Sequence, residues 1–194
     1  MRPQTQTDEA IFISISTVLL RQGYKALTLQ NIAQQAQLSP AALSKRFGSK
    51  KAMLLAYYDF LIQITEASFA ELSKRPLPLL EALTDLFTQW NQFIKKPSEY
   101  ANLLMLYLNF DIDPQLVHKS RQRLRLVDDE VQKMLRAAVQ RGELICEDIP
   151  NTSHTLQAAA TGAALLWCKD EPGSDPKERI AASLRIILEN REAS

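Results

Sequence analysis

The chain has 194 residues, 46% of them hydrophobic and 23% charged, which is ample for a buried core and fits one or two domains. Two cysteines, Cys146 and Cys168, exclude a disulfide framework and point to a reducing compartment. No apolar run approaches the roughly 18 residues of a membrane span, and Asp8 and Glu9 precede the early run AIFISISTVLL where a secretory signal needs positive charge. A cytoplasmic, soluble protein is expected.

The net charge of +1 is unevenly placed. Through Tyr58 there are seven basic residues against two acidic ones, so the remainder is mildly acidic. A small basic head on an acidic body suggests that the head meets a polyanion. Only five glycines occur and no segment alternates in the two-residue rhythm of a strand, so the reading is all-α.

The punctuation predicts about nine helices, near 8–22, 29–36, 40–46, 50–73, 77–95, 98–109, 114–141, 152–169 and 176–191. In the first, Ile11, Ile15, Val18 and Leu19 recur at helical spacing. Ser39-Pro40, Asp113-Pro114 and Asp175-Pro176 each set a capping side chain before a proline at the first helical position. Gly23, Gly48, Gly142 and Gly173 stand where helices stop.

The second helix, TLQNIAQQA, has Thr28 as its N-cap and an apolar face of Leu29, Ile32, Ala33 and Ala36. The short connection Gln37-Leu38 leads to Ser39 and a third helix, anchored inward by Leu43 and Phe47. Two short helices joined by a tight turn are the elements of a helix-turn-helix, whose second helix enters the DNA major groove. A solvated three-helix knot whose charges aid solubility would show the same local pattern.

From about Ala10 to Phe60 the chain resembles the DNA-binding domain of the TetR family of bacterial transcriptional regulators. The resemblance lies in Gly23-Tyr24 closing the first helix, then LTLQNIAQQAQLS, Leu43 and Phe47, and Ser49-Lys50 before an apolar helix. Three positions depart from the family's pattern. Gln37 replaces the turn glycine, Ala41 a glycine of the third helix, and Ser44 a tyrosine that in the family often contacts phosphate.

On this reading Thr28, Ser39, Ser44 and Lys50 position the protein on the DNA backbone. Pro40, Ala41, Ala42, Lys45 and Arg46 face the base edges. Small residues at the front of the third helix let its backbone lie close to those edges.

In the body, the sixth helix, SEYANLLMLYLNF, is apolar nearly all round and belongs inside a bundle. Trp90, Phe93, Tyr100, Met105, Tyr107 and His118 are candidates to line a cavity for a largely apolar ligand, with Asn102 as a further polar handle. The same side chains also suit a plain packed core, and the resemblance is what implies an effector pocket there.

The stretch from Ala137 to Trp167 resembles the family's passage from the seventh to the eighth helix. The resemblance implies a four-helix dimer interface, here carried by Ala160, Gly162, Ala163 and Trp167 with Ile180, Leu184, Ile187 and Leu188. Arg121, Arg125 and Asp128-Asp129-Glu130 read as a solvated face. His118 and His154 lack metal-ligand spacing, and no catalytic motif occurs, so neither a metal, a cofactor nor an enzyme is expected.

The resemblance then implies a DNA-binding domain over 1–50 and a ligand-binding and dimerisation domain over 51–194. Such a regulator, in the family a repressor, binds a pseudo-palindromic operator as a homodimer and is released by a small effector through a tilt of the fourth helix. The alternative is a ligand-binding or scaffold protein of the same fold that has lost DNA recognition, to which Gln37 and Ser44 point.

Overall fold

The computed structural model describes residues 6–89, 94, 96–108, 113–169 and 174–189, with 106–108 described by their backbone. Among them run nine α-helices and no extended strand. These are α1 (Asp8–Gln22), α2 (Leu29–Gln35), α3 (Pro40–Phe47), α4 (Lys50–Leu72), α5 (Leu79–Thr88), α6 (Pro97–Leu108), α7 (Pro114–Gln140), α8 (Ile149–Trp167) and α9 (Pro176–Glu189). No helix among the described residues is long and apolar enough to cross a membrane.

The helices begin where a side-chain oxygen can take up a free backbone N–H. Thr7, Thr28, Ser39 and Ser49 accept from Ala10, Asn31, Ala42 and Ala52 at 3.1–3.2 Å. Asp113 and Asp175 cap the two helices that open on Pro114 and Pro176. The eighth helix starts at Ile149, three residues earlier than expected, because Asp148 accepts from Asn151 N–H at 3.0 Å and Pro150 fits the first turn. The fifth is described as a helix from Leu79 to Thr88, shorter than expected; of the residues that follow, 90–93 lie outside the described set.

Two compact units divide the chain. The first holds the residues up to Ile64 together with Ser98–Gln122, and the second holds Thr65–Pro97 and the residues from Arg123 onward. This partition cuts inside α4 and α7 rather than at residue 50. The reason is in the first core, where Met53, Leu54, Tyr57 and Tyr58 of α4 join Ile11, Ile15, Leu19, Leu27, Ile32 and Leu43, with Leu103 and Leu116 packed against them. A functional division at residue 50 remains a proposal.

In the second unit α9 packs on both α5 and α8. Leu83, Leu135, Leu156, Ile180 and Leu184 are fully buried there. Asp85 of α5 pairs with Arg75 at 2.8 Å and with Lys177 of α9 at 2.7 Å. Burial of Asp85 raises its carboxyl, but the two cations outweigh that and hold it below the usual carboxylate range.

Candidate nucleic-acid interface

The turn between α2 and α3 is a helix C-cap of the Schellman type. Leu38 N–H returns to Ala33 carbonyl at 2.8 Å and Gln37 N–H to Gln34 carbonyl at 3.2 Å. Gln37 supplies the left-handed residue that this motif requires, at φ 55°, a conformation glycine would adopt without a Cβ penalty. The turn therefore forms despite the departure at this position. Ser39 ends it and caps α3.

The eight residues of α3 are held by Leu43, which is fully buried, and by Phe47, whose ring lies 6.1 Å from that of Phe12 on α1. Everything assigned to the DNA face is exposed: Thr28, Ser39, Pro40, Ala41, Ala42, Ser44, Lys45, Arg46 and Lys50. Pro40, Ala41 and Ala42 give the front of α3 a low profile. The Thr28 and Ser39 hydroxyl oxygens accept cap bonds, which leaves each O–H free to donate.

The four cations of this corner are not equivalent. Lys45 and Lys50 face no carboxylate among the described residues, Lys50 lying 6.0 Å from the Tyr24 ring. Arg46 pairs with Asp8 at 2.6 Å, and Lys51 with Asp113 at 2.8 Å. The hydrogen bond from Lys51 holds the Asp113 carboxyl below its ordinary value.

Residues 16–57 match the family model described as bacterial regulatory proteins, tetR family. The matched segment takes in the second half of α1, all of α2 and α3, and the first turns of α4.

Solved structures share the fold along nearly the whole chain. A TetR transcription regulator from Haloarcula marismortui is 19% identical, with 95% of this chain and 97% of that one covered at a TM-score of 0.77. SmeT, the repressor of the Stenotrophomonas maltophilia multidrug efflux pump SmeDEF, is 17% identical over 97% of this chain and 91% of its own, at 0.71. FadR from Bacillus subtilis in complex with stearoyl-CoA is 15% identical over 94% and 98%, at 0.72. No curated protein matches the chain in sequence.

The candidate ligand residues fall as follows. Tyr100 is buried, Met105 is 47% exposed and His118 is exposed, all in the first unit. Trp90 and Phe93 lie outside the described residues, as does the side chain of Tyr107. Asn102 is not a free polar handle. Its amide donates to the Leu20 carbonyl on α1 at 2.8 Å. An open depression of about 380 Å³ lies in the head, lined by the amides of Gln22, Asn31, Gln34, Gln35 and Gln37, a grouping the sequence reading did not single out.

The residues expected to pair two copies differ in exposure. Ala160, Ala163, Trp167, Ile180, Leu184 and Leu188 are each at most 5% exposed in the single chain, where α9 packs on both α5 and α8. Gly162 and Ile187 are half-buried, while Leu165, Leu166 and Ile186 stand 52%, 59% and 67% exposed. Both helices have two apolar sides, and sequence spacing does not say which one turns inward.

On the face of α7 read as solvated, Arg121, Arg125 and Asp129 are exposed, whereas Asp128 is half-buried. Asp128 accepts from Ser153 and Gln157 of α8 at 2.7 Å and from Gln132 at 2.8 Å. Ser153 is fully buried, so the carboxylate joins the two helices. Burial pushes the Cys168 thiol up from its ordinary value, the direction of an unreactive cysteine.

Proposed function

We propose that the protein is a DNA-binding transcriptional repressor that grips a pseudo-palindromic operator as a homodimer and lets go when a small, largely apolar effector binds its body. Residues 1–50 do the reading, and 51–194 bind the effector and pair the subunits. The observation that carries this reading is the outward face of α3: Pro40, Ala41, Ala42, Ser44 and Lys45 are all exposed over a fully buried Leu43. That is the geometry a helix needs to enter a major groove.

Pairing through the exposed apolar residues of α8 and α9 would give two heads related by a two-fold axis. Their recognition helices would then stand about 34–36 Å apart, or a multiple of that, along the duplex. The repressor and effector parts of the reading draw support from SmeT, named as a repressor, and from FadR, which is bound to stearoyl-CoA. Effector and DNA then weaken each other by the same factor. Catalysis plays no part in this scheme.

A salt titration tests the reading. Log affinity for a bound duplex falls linearly with log salt, at about 0.9 per phosphate neutralised. A ligand-binding protein of this fold that had lost DNA recognition would bind no duplex at modest ionic strength.

A further inference from the structure

Arg46 was read from the sequence as a residue that reaches base edges. Its guanidinium is engaged elsewhere. Nε meets the Asp8 carboxylate at 2.6 Å, and a terminal nitrogen donates to the Gln6 carbonyl. The same guanidinium carbon lies 6.0 Å from the ring of Phe47, the next residue along, which itself packs on Phe12. Two acceptors on the segment that opens α1 thus hold one planar fork at the C-terminal end of α3.

The need for such a joint follows from the length of α3. Leu43 is the one residue of this helix that is fully buried. A short helix pinned at a single point can swivel about it, and swivelling would move Pro40 and Ala41 across the groove. Phe47 supplies a second apolar contact under the far end, and Arg46 fastens that end from above to Gln6 and Asp8. Arginine suits this task better than lysine, since its rigid donors serve two acceptors in set directions.

We infer that Arg46 is a positioning residue, which acts through Asp8 to set the angle of α3, and that the phosphate-neutralising cations of this corner are Lys45 and Lys50. Lys51 belongs with Arg46, because Asp113 already offsets its charge. A cation already paired with a carboxylate neutralises little phosphate charge, so it displaces few of the DNA's condensed counterions and adds little to the salt slope. This inference rests on the DNA-binding reading above.

The test uses the full chain and a duplex recovered by selection with the wild-type protein. Asp8→Asn and Arg46→Gln should each weaken binding about 2–5-fold, the range of an exposed ion pair. The double variant should be no weaker than the poorer single one. Arg46→Lys, which still reaches Asp8, should recover part of the loss. The salt slope should stay unchanged in all of these, whereas Lys45→Gln and Lys50→Gln should each lower it by about one per subunit.

Tighter binding with a steeper slope in Asp8→Asn would mean that a freed Arg46 contacts DNA, and would overturn the inference. So would a loss of about one unit of slope per subunit, or relaxed preference at one base pair, in Arg46→Gln. If the wild-type chain bound no duplex, the DNA-binding reading would fall and take this role with it. Normal wild-type binding with an Arg46-dependent slope would remove the role alone.

Discussion

The Asn102 side chain on α6 donates a hydrogen bond to the Leu20 carbonyl in the last turn of α1, at 2.8 Å. A helix leaves its last four carbonyls without partners, and Asn102 satisfies one of them from 82 residues away. Its Oδ1 also lies 3.1 Å from where a Cβ on Gly23 would stand. Gly23, at φ 82° and ψ 174°, is in a region essentially restricted to glycine. Asn102→Ala should cost about 1–2 kcal/mol in urea unfolding, and Gly23→Ala about 1–3 kcal/mol. The two together should cost less than their sum, because removing the amide opens space for the new methyl.

Gln37 keeps the helix-turn-helix turn at the expense of a side chain in left-handed backbone. Gln37→Gly should therefore stabilise the fold by about 0.5–1 kcal/mol, the strain relieved exceeding the added freedom of the unfolded chain. For a chain of this size that is a rise of roughly 1–4 °C in melting temperature, and DNA affinity should not fall. A lower melting temperature would show that the Gln37 side chain holds the turn by a contact of its own.

Asp85 sits between Arg75 and Lys177, and these cations depress its carboxyl. A folded-state pKa below the unfolded value means stability that is present at neutral pH and lost as pH falls through the folded value. Asp85→Asn should cost on the order of 1 kcal/mol or less at pH 7, since Arg75 and Lys177 are both more than half exposed. The gap between variant and wild type should stay constant above about pH 5 and close below the ordinary aspartate value near 3.9. Unfolding curves collected from pH 7 down to 3 check this, and a gap that widened in acid would contradict it.

Burial separates two kinds of aliphatic residue on α8 and α9. Leu166 and Ile186 point outward, so Leu166→Glu with Ile186→Glu should convert a dimer to monomers while leaving helix content intact. Leu184 is fully buried within one chain, and Leu184→Ala should lower unfolding stability by about 2–5 kcal/mol. Light scattering coupled to size exclusion separates the two effects. Dissociation caused by the Leu184 change alone, with stability unaltered, would assign the interface to the wrong faces.

Helix starts were legible because their chemistry is local. Ser39-Pro40, Asp113-Pro114 and Asp175-Pro176 each hold their cap within three residues, and all three helices begin there. Asp148 with Pro150 carries the same signal spread over one more residue, and the start it sets lies furthest from the expected one. The exposed front of α3 was legible too, since Leu43 and Phe47 fix which side turns inward.

What could not be read was partner choice over long separations. Nothing near Arg46 in the sequence names Asp8, nothing near Asn102 names Leu20, and nothing near Asp128 names Ser153. Each polar side chain looked like an open contact and was already committed within the fold. The same applies to α8, where a small-residue stripe fits a neighbour in one chain as well as a copy of itself.

The central claim is that two paired copies of the α2–α3 corner read a two-fold DNA site. Selection of bound fragments from a random duplex pool by the full chain, followed by alignment of what is recovered, tests it most directly. The expected result is a motif of two inverted half-sites whose centres lie about one helical turn, or a whole number of turns, apart. Recovery of fragments with no shared inverted repeat, or of none above background at about 50 mM salt, would contradict it.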